Sequence, residues 1–410
     1  MSLKYDDIAG NITVAAETEV LVAGAGIAGI AAALAAARHG KKVILLDKAF
    51  AAGGMATLGL IAIYLPLCDG CGHQVSFGLA EELLRLSVQY GYDGAYPDAW
   101  LNGGSEEERA KQRFKIQFNP HLFALSAEKL LKETGVRILY GTSVSECVTD
   151  GSRITHVIVE NKSGRTAIAA GSVIDCTGDA DICYFSGAPT VLKQGGNGLA
   201  SWYYYHNNSG VHLKMFGLAD VIPDKANSYF NDDTSAVDDQ KTESLDTNYR
   251  FSGVDGYELS DAVLRGHEKM FDDILSLKSK DPSVMPVTIS TIPLVRMSRR
   301  LDGVCVLHTD CDHKKLEDSI GMTGDWTKKG PVYEIPFGAL HCHEFSNLLA
   351  AGRDISTTDE MWNVTRVIPP CAVTGQAAGT AAALFDDFNN ADIELLQKTL
   401  VQDGVKLHLD

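Results

Sequence analysis

The sequence predicts an α/β protein with a doubly wound parallel sheet, a β-meander joined to that sheet, and a smaller domain inserted late in the chain. Three observations predict it. The N-terminal region reads as strand, glycine turn, helix and strand. Short alternating runs follow between residues 144 and 170, and residues 196–290 differ in composition from both flanks. The predicted division is a first part over 1–195, an inserted domain over 196–290, and a return to the first domain over 291–410.

Each element has a local reason. Glu19-Val20-Leu21-Val22-Ala23 is an apolar run of strand length, and Lys42 to Asp47 is a second. Between them Gly26 to His39 is rich in alanine, with Arg38 and His39 in its last turn and Gly40 placed to cap it. Two strands joined by a helix in this way form a βαβ unit, the seed of a doubly wound sheet. Phe77 to Tyr90 carries leucines at helical spacing. Asn119-Pro120 opens a further helix that runs to Glu133. The asparagine accepts from free N–H groups of the first turn, and proline lacks one that would go unused.

Val136 to Tyr140 is a strand, followed by runs at Val144–Val148, Ile154–Glu160 and Thr166–Ala170. The turns between the runs, Asp150-Gly151 and Asn161-Lys162-Ser163-Gly164, suit an antiparallel meander. Ser172 to Cys176 is predicted as a separate buried strand. The inserted region begins aromatic at Trp202 to Tyr205, becomes polar and acidic from Asn231 to Asn248, and turns helical from Tyr257 to Leu277. A helix of small residues from Cys371 to Phe385 completes the pattern.

Composition narrows the partners. The 410 residues carry a net charge of −17, with 36 Lys and Arg against 53 Asp and Glu. Such a surface repels nucleic-acid backbones and anionic lipid, which leaves a small-molecule substrate. Nine scattered cysteines fit free thiols of a reducing cytoplasm better than a disulfide framework. Met1 to Thr18 has no basic segment followed by an apolar core, so no signal peptide is expected there. Val20 to Ala37 is an apolar run near bilayer length, yet three glycines in its first ten residues predict a buried strand, turn and helix, not a membrane span.

Gly24-Ala25-Gly26-Ile27-Ala28-Gly29 is G-x-G-x-x-G between a strand and a helix. The first glycine permits the tight turn, the second lets backbone approach a diphosphate, and the third lets helix and strand pack closely. The helix N-terminus then offers free N–H groups to the phosphates. Asp47, at the end of the second strand, is placed to accept from ribose hydroxyls, with Lys48 beside it. Alone, the motif serves NAD as well as FAD. Gly53-Gly54 soon after Asp47, and the return of the chain at Asp175-Cys176-Thr177-Gly178-Asp179, favour the longer cofactor.

On these residues the chain resembles the FAD-dependent oxidoreductases related to glutathione reductase and fumarate reductase, and among them a group of mostly uncharacterised bacterial enzymes. The resembling segments are Gly24 to Gly29, Gly53 to Thr57, Ile174 to Asp181, Ile292 to Arg300, Asn347 to Ser356 and Arg366 to Ala383. The resemblance implies a noncovalent FAD. It implies cofactor contacts from Met55 and Ala56, adenine contacts from Thr142 to Val144, and contacts from Cys176, Thr177 and Gly178. It also implies a flavin edge at Gly352-Arg353-Asp354 and a last contact set at Gly375, Gln376, Ala378 and Gly379. Asp47 stands where such proteins often have glutamate, and Cys176 where they often have alanine.

Other residues are candidates for chemistry. Arg296, with Arg299 and Arg300, could receive an anionic substrate or the cofactor phosphate, or could be spent on ion pairs. His73 is the candidate proton carrier, with Tyr64, His341 and His343 behind it. Cys68-Asp69-Gly70-Cys71 offers a redox pair, but zinc would need a second pair, so no metal site is expected. The expected function is hydride transfer between a small organic substrate and flavin N5, with electrons passed on to an acceptor that the sequence does not name. The rival readings are an NAD-dependent dehydrogenase and a non-catalytic FAD-binding subunit.

Overall fold

A computed structural model describes residues 12–65, 67–90, 98–111, 116–217 and 249–409. Strand β1 (Val14–Ala23), helix α1 (Ile27–Arg38) and strand β2 (Val43–Leu46) form the opening unit. β1 and β2 run parallel, from Val20 opposite Val43 to Ala23 opposite Leu46. α1 is buried from Ile27 to Ala36, which explains its alanines: a helix covered on all sides leaves little room for long side chains. The run that imitates a membrane span is thus strand end, turn and buried helix. No helix among the described residues is long and apolar enough to cross a membrane.

Helix α2 (Leu79–Val88) and helix α3 (Pro120–Glu133) lead to β3 (Arg137–Leu139), which pairs parallel with β2. Asn119 caps α3 as expected, its side-chain oxygen accepting from the N–H groups of His121 and Leu122 at 3.0 Å each. The meander follows as β4 (Ser143–Asp150), β5 (Arg153–Asn161) and β6 (Gly164–Asp175), antiparallel throughout.

The inserted region contains β7 (Ser201–Asn207), β8 (Gly210–Phe216), α4 (Gly256–Lys280) and β9 (Met285–Ile289). β7 is the middle strand of a three-stranded antiparallel sheet. Tyr203, Phe216 and Met270 of α4 form an apolar core of its own. The acidic run Asn231–Asn248 lies outside the described residues.

The chain then returns to the main sheet as β10 (Leu348–Ala350) and α5 (Ile368–Leu384). Here one expectation fails: Thr166–Ala170 and Ser172–Cys176 are one 12-residue strand, β6, not two. One edge of β6 pairs with β1. Its other edge is divided, the first half antiparallel to β5 and the second parallel to β10. Asn347 fills the fork between these neighbours. Its Oδ1 accepts from Ile154 N at 2.9 Å, and its Nδ2 donates to the carbonyls of Ile154 and Gly171 at 2.8 Å each. The main sheet therefore runs β3-β2-β1-β6-β5-β4, with β10 beside β6.

α5 begins at Ile368 rather than Cys371, so Pro369 and Pro370 fall in its first turn, where a missing N–H costs nothing. It lies directly on α1. A Cβ at Gly375 would stand 2.2 Å from Ala28 O, and one at Gly379 would stand 2.1 Å from Ala32 O. The four-residue spacing puts both glycines on one face and lets the two backbones touch.

Candidate cofactor site and substrate groove

The three motif glycines have three different reasons to be glycine. Gly24 has φ +102°, and a Cβ there would stand 2.3 Å from Cys176 O. A Cβ at Gly29 would stand 1.8 Å from Gly24 O, so this glycine permits the turn to close. At Gly26 a Cβ would meet nothing within 4 Å. The space over it is open among the described residues. Gly26 is the N-cap of α1 and carries no side-chain cap, and Gly26, Ile27 and Ala28 line a groove of about 320 Å³. Free N–H groups at an uncapped helix start suit a diphosphate.

The second glycine pair rests on this corner. Gly53 (φ +103°) donates its N–H to Ala25 O at 2.7 Å, and a Cβ at Gly54 would lie 3.2 Å from Gly26 Cα. Met55 and Ala56 continue the groove wall. Asp47 also lines it. Its Oδ2 accepts from Ala25 N and its Oδ1 from Ala49 N, each at 2.7 Å. A carboxylate has further acceptor capacity on both oxygens, so these bonds orient Asp47 and leave it able to receive a ribose hydroxyl. Lys48 lies beside it on the same wall.

The end of β6 forms the groove floor through Cys176, Thr177, Gly178 and Asp179. This segment is clamped from below. Asp175 Oδ1 accepts from Thr177 N and Oγ1 at 3.0 and 2.7 Å, and the fully buried Asp354 accepts from Gly178 N and Ala180 N at 3.0 and 3.1 Å. Burial, helped by Asp175, raises the Asp354 carboxyl well above the usual range. Burial likewise holds the groove-lining thiols of Cys176 and Cys371 protonated, Cys371 being pushed up to about 12.

Asp181 stands just past this floor, and burial, then Asp179 and Asp175, push it up to about 6, against Arg299 at 2.7 Å. The unfolded chain releases this proton near 3.8. Between those values the folded state holds more protons, so this group's contribution to stability falls as pH rises. An Asp181→Asn variant is expected to gain stability relative to the parent between pH ~4 and ~6 in denaturant titrations. A constant gap across that window would refute the shift.

The opposite wall comes from the insert and the segment after it: Trp202, Met215, Leu259 and Ile292 to Val295, joined by Trp326. Trp202 is buried, and its indole N–H has no acceptor among the described residues. Three arginines line the same groove, Arg296, Arg353 and Arg366, beside Val367 and Ile368 at the start of α5. Arg353 donates to the carbonyls of Val295 and Arg296 and lies 3.6 Å from Asp179. The predicted basic cluster divides. Arg299 pairs with Asp181 and lies over Tyr184, and Arg300 lies 3.8 Å from Asp359 and over Trp362, so of the three only Arg296 reaches the groove.

Several expected contacts stand elsewhere. Ala25 and Gly29 lie beneath the corner. Val144 pairs with Val159 on β4 and packs with the core on the meander side of the sheet. Asp354 sits behind Gly178, whereas Gly352 lines the groove. Gly375 and Gly379 face α1, Ala378 is buried in the core, and Gln376 Oε1 accepts from Leu79 N at 2.7 Å, supplying the cap that Gly78 cannot give to α2. Small residues here serve helix contact because α1 is as close as backbone atoms allow.

The expected proton carriers are not brought to the groove either. His73 bonds Asp69 at 2.8 Å and Glu106 at 3.1 Å on an exposed loop, and the Asp69 hydrogen bond raises its pKa. Tyr64 is buried with its hydroxyl on Ala80 O, and His341 is buried against Phe337. Cys68 is buried, Cys71 is exposed, neither is in a disulfide, and neither lines the groove. Sequence reasoning missed Arg366 and Trp326. Arg366 precedes Val367-Ile368-Pro369-Pro370, and a cation just before a proline-started helix was the available signal.

Residues 19–284 and 286–400 match the family described as FAD dependent oxidoreductase. A thioredoxin reductase of Ureaplasma parvum serovar 3 is 34% identical over 77 residues, 19% of this chain and 25% of that protein. The chain thus spans a quarter of that relative's length. Among solved structures, CabE, an aromatic hydroxylase from angucycline biosynthesis, is 13% identical, with 94% of this chain and 65% of that one covered and a TM-score of 0.46. A geranylgeranyl bacteriochlorophyll reductase-like protein of Thermoplasma acidophilum is 14% identical, with 96% and 85% covered and a TM-score of 0.43. With the family match running through both halves of the main sheet and the insert between them, the chain belongs to the FAD-dependent oxidoreductase family.

Proposed function

We propose that the protein transfers a hydride between a small organic substrate and flavin N5, with FAD held noncovalently along the groove. The observation that carries this reading is the open corner at Gly26, which continues without interruption into a wall of insert residues. When bound, FAD supplies the two-electron chemistry, and a second half-reaction returns the electrons to an acceptor. In this reading the N–H groups of Ile27 and Ala28 receive the diphosphate and Asp47 receives the ribose. The first turn of α5 and Gly352-Arg353 bound the flavin end. Trp202, Met215 and Leu294 shield that end from water, which strengthens every charge interaction inside. None of the nine cysteines is in a disulfide, which supports a reducing compartment and hence the cytoplasm.

Purified protein is expected to be yellow and to release a molecule with the mass of FAD. The bound flavin should be reduced, without added catalyst, by a substrate found by screening under nitrogen. A colourless protein carrying NAD would favour the dehydrogenase reading. A yellow protein whose flavin no small reductant reaches would favour a non-catalytic subunit.

A further inference from the structure

We propose that Arg296 and Arg366 form a docking subsite for a carboxylate of the organic substrate, whose apolar body lies on the wall of Trp202, Met215 and Leu294. The proposal rests on the hydride-transfer reading of this groove. Three guanidinium groups converge on one groove of a chain whose net charge is −17. Like charges brought together away from water repel, so a site that keeps three of them suits an anion.

Arg353 is accounted for by two backbone carbonyls and Asp179. Arg366 is different. Its Nε and Nη2 donate to the neutral Asn363 Oδ1 at 3.1 and 2.8 Å, it lies 5.8 Å over the Trp326 ring, and no carboxylate pairs with it among the described residues. Burial, then Arg296 and Arg353, lower its pKa to about 9. A group so placed gains most from an incoming anion, and a planar fork matches a carboxylate with two parallel hydrogen bonds. The N-terminal end of α5, a 17-residue helix, adds a further positive end at Val367 and Ile368.

Two anions could use such a place, the cofactor diphosphate and a substrate acid. The position favours the second. The diphosphate has the α1 corner, where free amides already wait. Arg296 donates to Gly217 O, just past β8, so the arginines lie between the insert and α5 instead. The neighbouring wall is apolar. An acid with an aromatic or aliphatic body fits both halves.

The test uses the FAD-loaded protein, with benzoate as probe, its neutral isostere benzamide as comparison, and sulfate to register charge alone. Binding is read by calorimetry and by perturbation of the flavin spectrum. Benzoate is expected to saturate the parent and to bind at least about tenfold more tightly than benzamide, the effect of one charge-assisted contact. Arg366→Gln should weaken benzoate by about tenfold or more, leave benzamide unchanged and retain a full complement of FAD. Arg366→Lys should fall between, since it keeps charge and loses the fork. Arg296→Gln provides the same comparison should Arg366→Gln fail to fold.

Equal affinity for benzoate and benzamide, no response to benzoate, or sulfate binding as tightly as benzoate would overturn the subsite. Loss of FAD from a folded Arg366→Gln protein would also overturn it, by assigning the arginine to the cofactor. A parent protein without flavin would sink the underlying hydride-transfer reading, which a yellow protein indifferent to the probe's charge would not.

Discussion

A Gly26→Val protein is expected to fold, to melt close to the parent when both are compared as apo-proteins, and to purify without flavin. The backbone there has φ −68° and ψ −176°, an extended conformation open to any residue, and a Cβ would touch nothing. Replacing glycine by valine at an N-cap costs at most about 1 kcal/mol. The isopropyl group instead fills the space over the N-terminus of α1, where the diphosphate would lie. The apo comparison matters because bound FAD itself raises the parent's melting temperature by mass action. A folded Gly26→Val protein that keeps a full complement of FAD would remove the cofactor from this corner. Gly29→Val should behave in the opposite way and fail to accumulate as folded protein, since its Cβ would stand 1.8 Å from a backbone oxygen with no side chain to move aside.

The second large effect lies at the contact of α1 and α5. Gly375→Val and Gly379→Val are each expected to destabilise the protein by roughly 3 kcal/mol or more, because overpacking a backbone contact moves a whole helix. Either Cβ would stand little more than 2 Å from a carbonyl of α1. FAD is lost in these variants only as the fold is lost, so flavin content should follow the fraction folded through a urea titration. If either variant were as stable as the parent yet colourless, these glycines would belong to the cofactor after all.

Legibility followed the range of the interactions. The end of β1, α1 and β2 form one unit closed by a short connection, Val20 opposite Val43, the Asn119 cap rests on contacts within a few residues, and the sequence shows them. The start of β1 does not show, because Val14 to Glu19 is largely exposed and becomes strand only by pairing with β6. The divided edge of β6 was hidden for the same reason, since Asn347 and Ile154, which define the fork, lie 193 residues apart.

The site divides along the same line. Gly26, Gly53 and Gly54 announced an approach of backbone to ligand, and the space over Gly26 is open. Gly375 and Gly379 announced a close approach too, but small residues do not say to what, and the neighbour is α1. His73 announced proton chemistry, yet Asp69 and Glu106 occupy both its ring nitrogens. Arg366 gave a signal only through its position before the prolines of α5, because the other two arginines of its cluster come from separate segments of the chain: one follows the insert and one follows β10.

The divided edge of β6 has a consequence for how the protein is made. The central strand of the main sheet lacks part of its partner until residues 348–350 arrive, and the carboxylate that pins the groove floor is residue 354 of 410. On a ribosome, the opening βαβ unit emerges long before either. The nascent chain must therefore keep an unpaired half-edge soluble from residue 175 until residue 348 is made, and contacts between such distant segments form slowly. Capture of the cofactor consequently waits for residues 348–354 and does not follow from the appearance of its glycine motif alone.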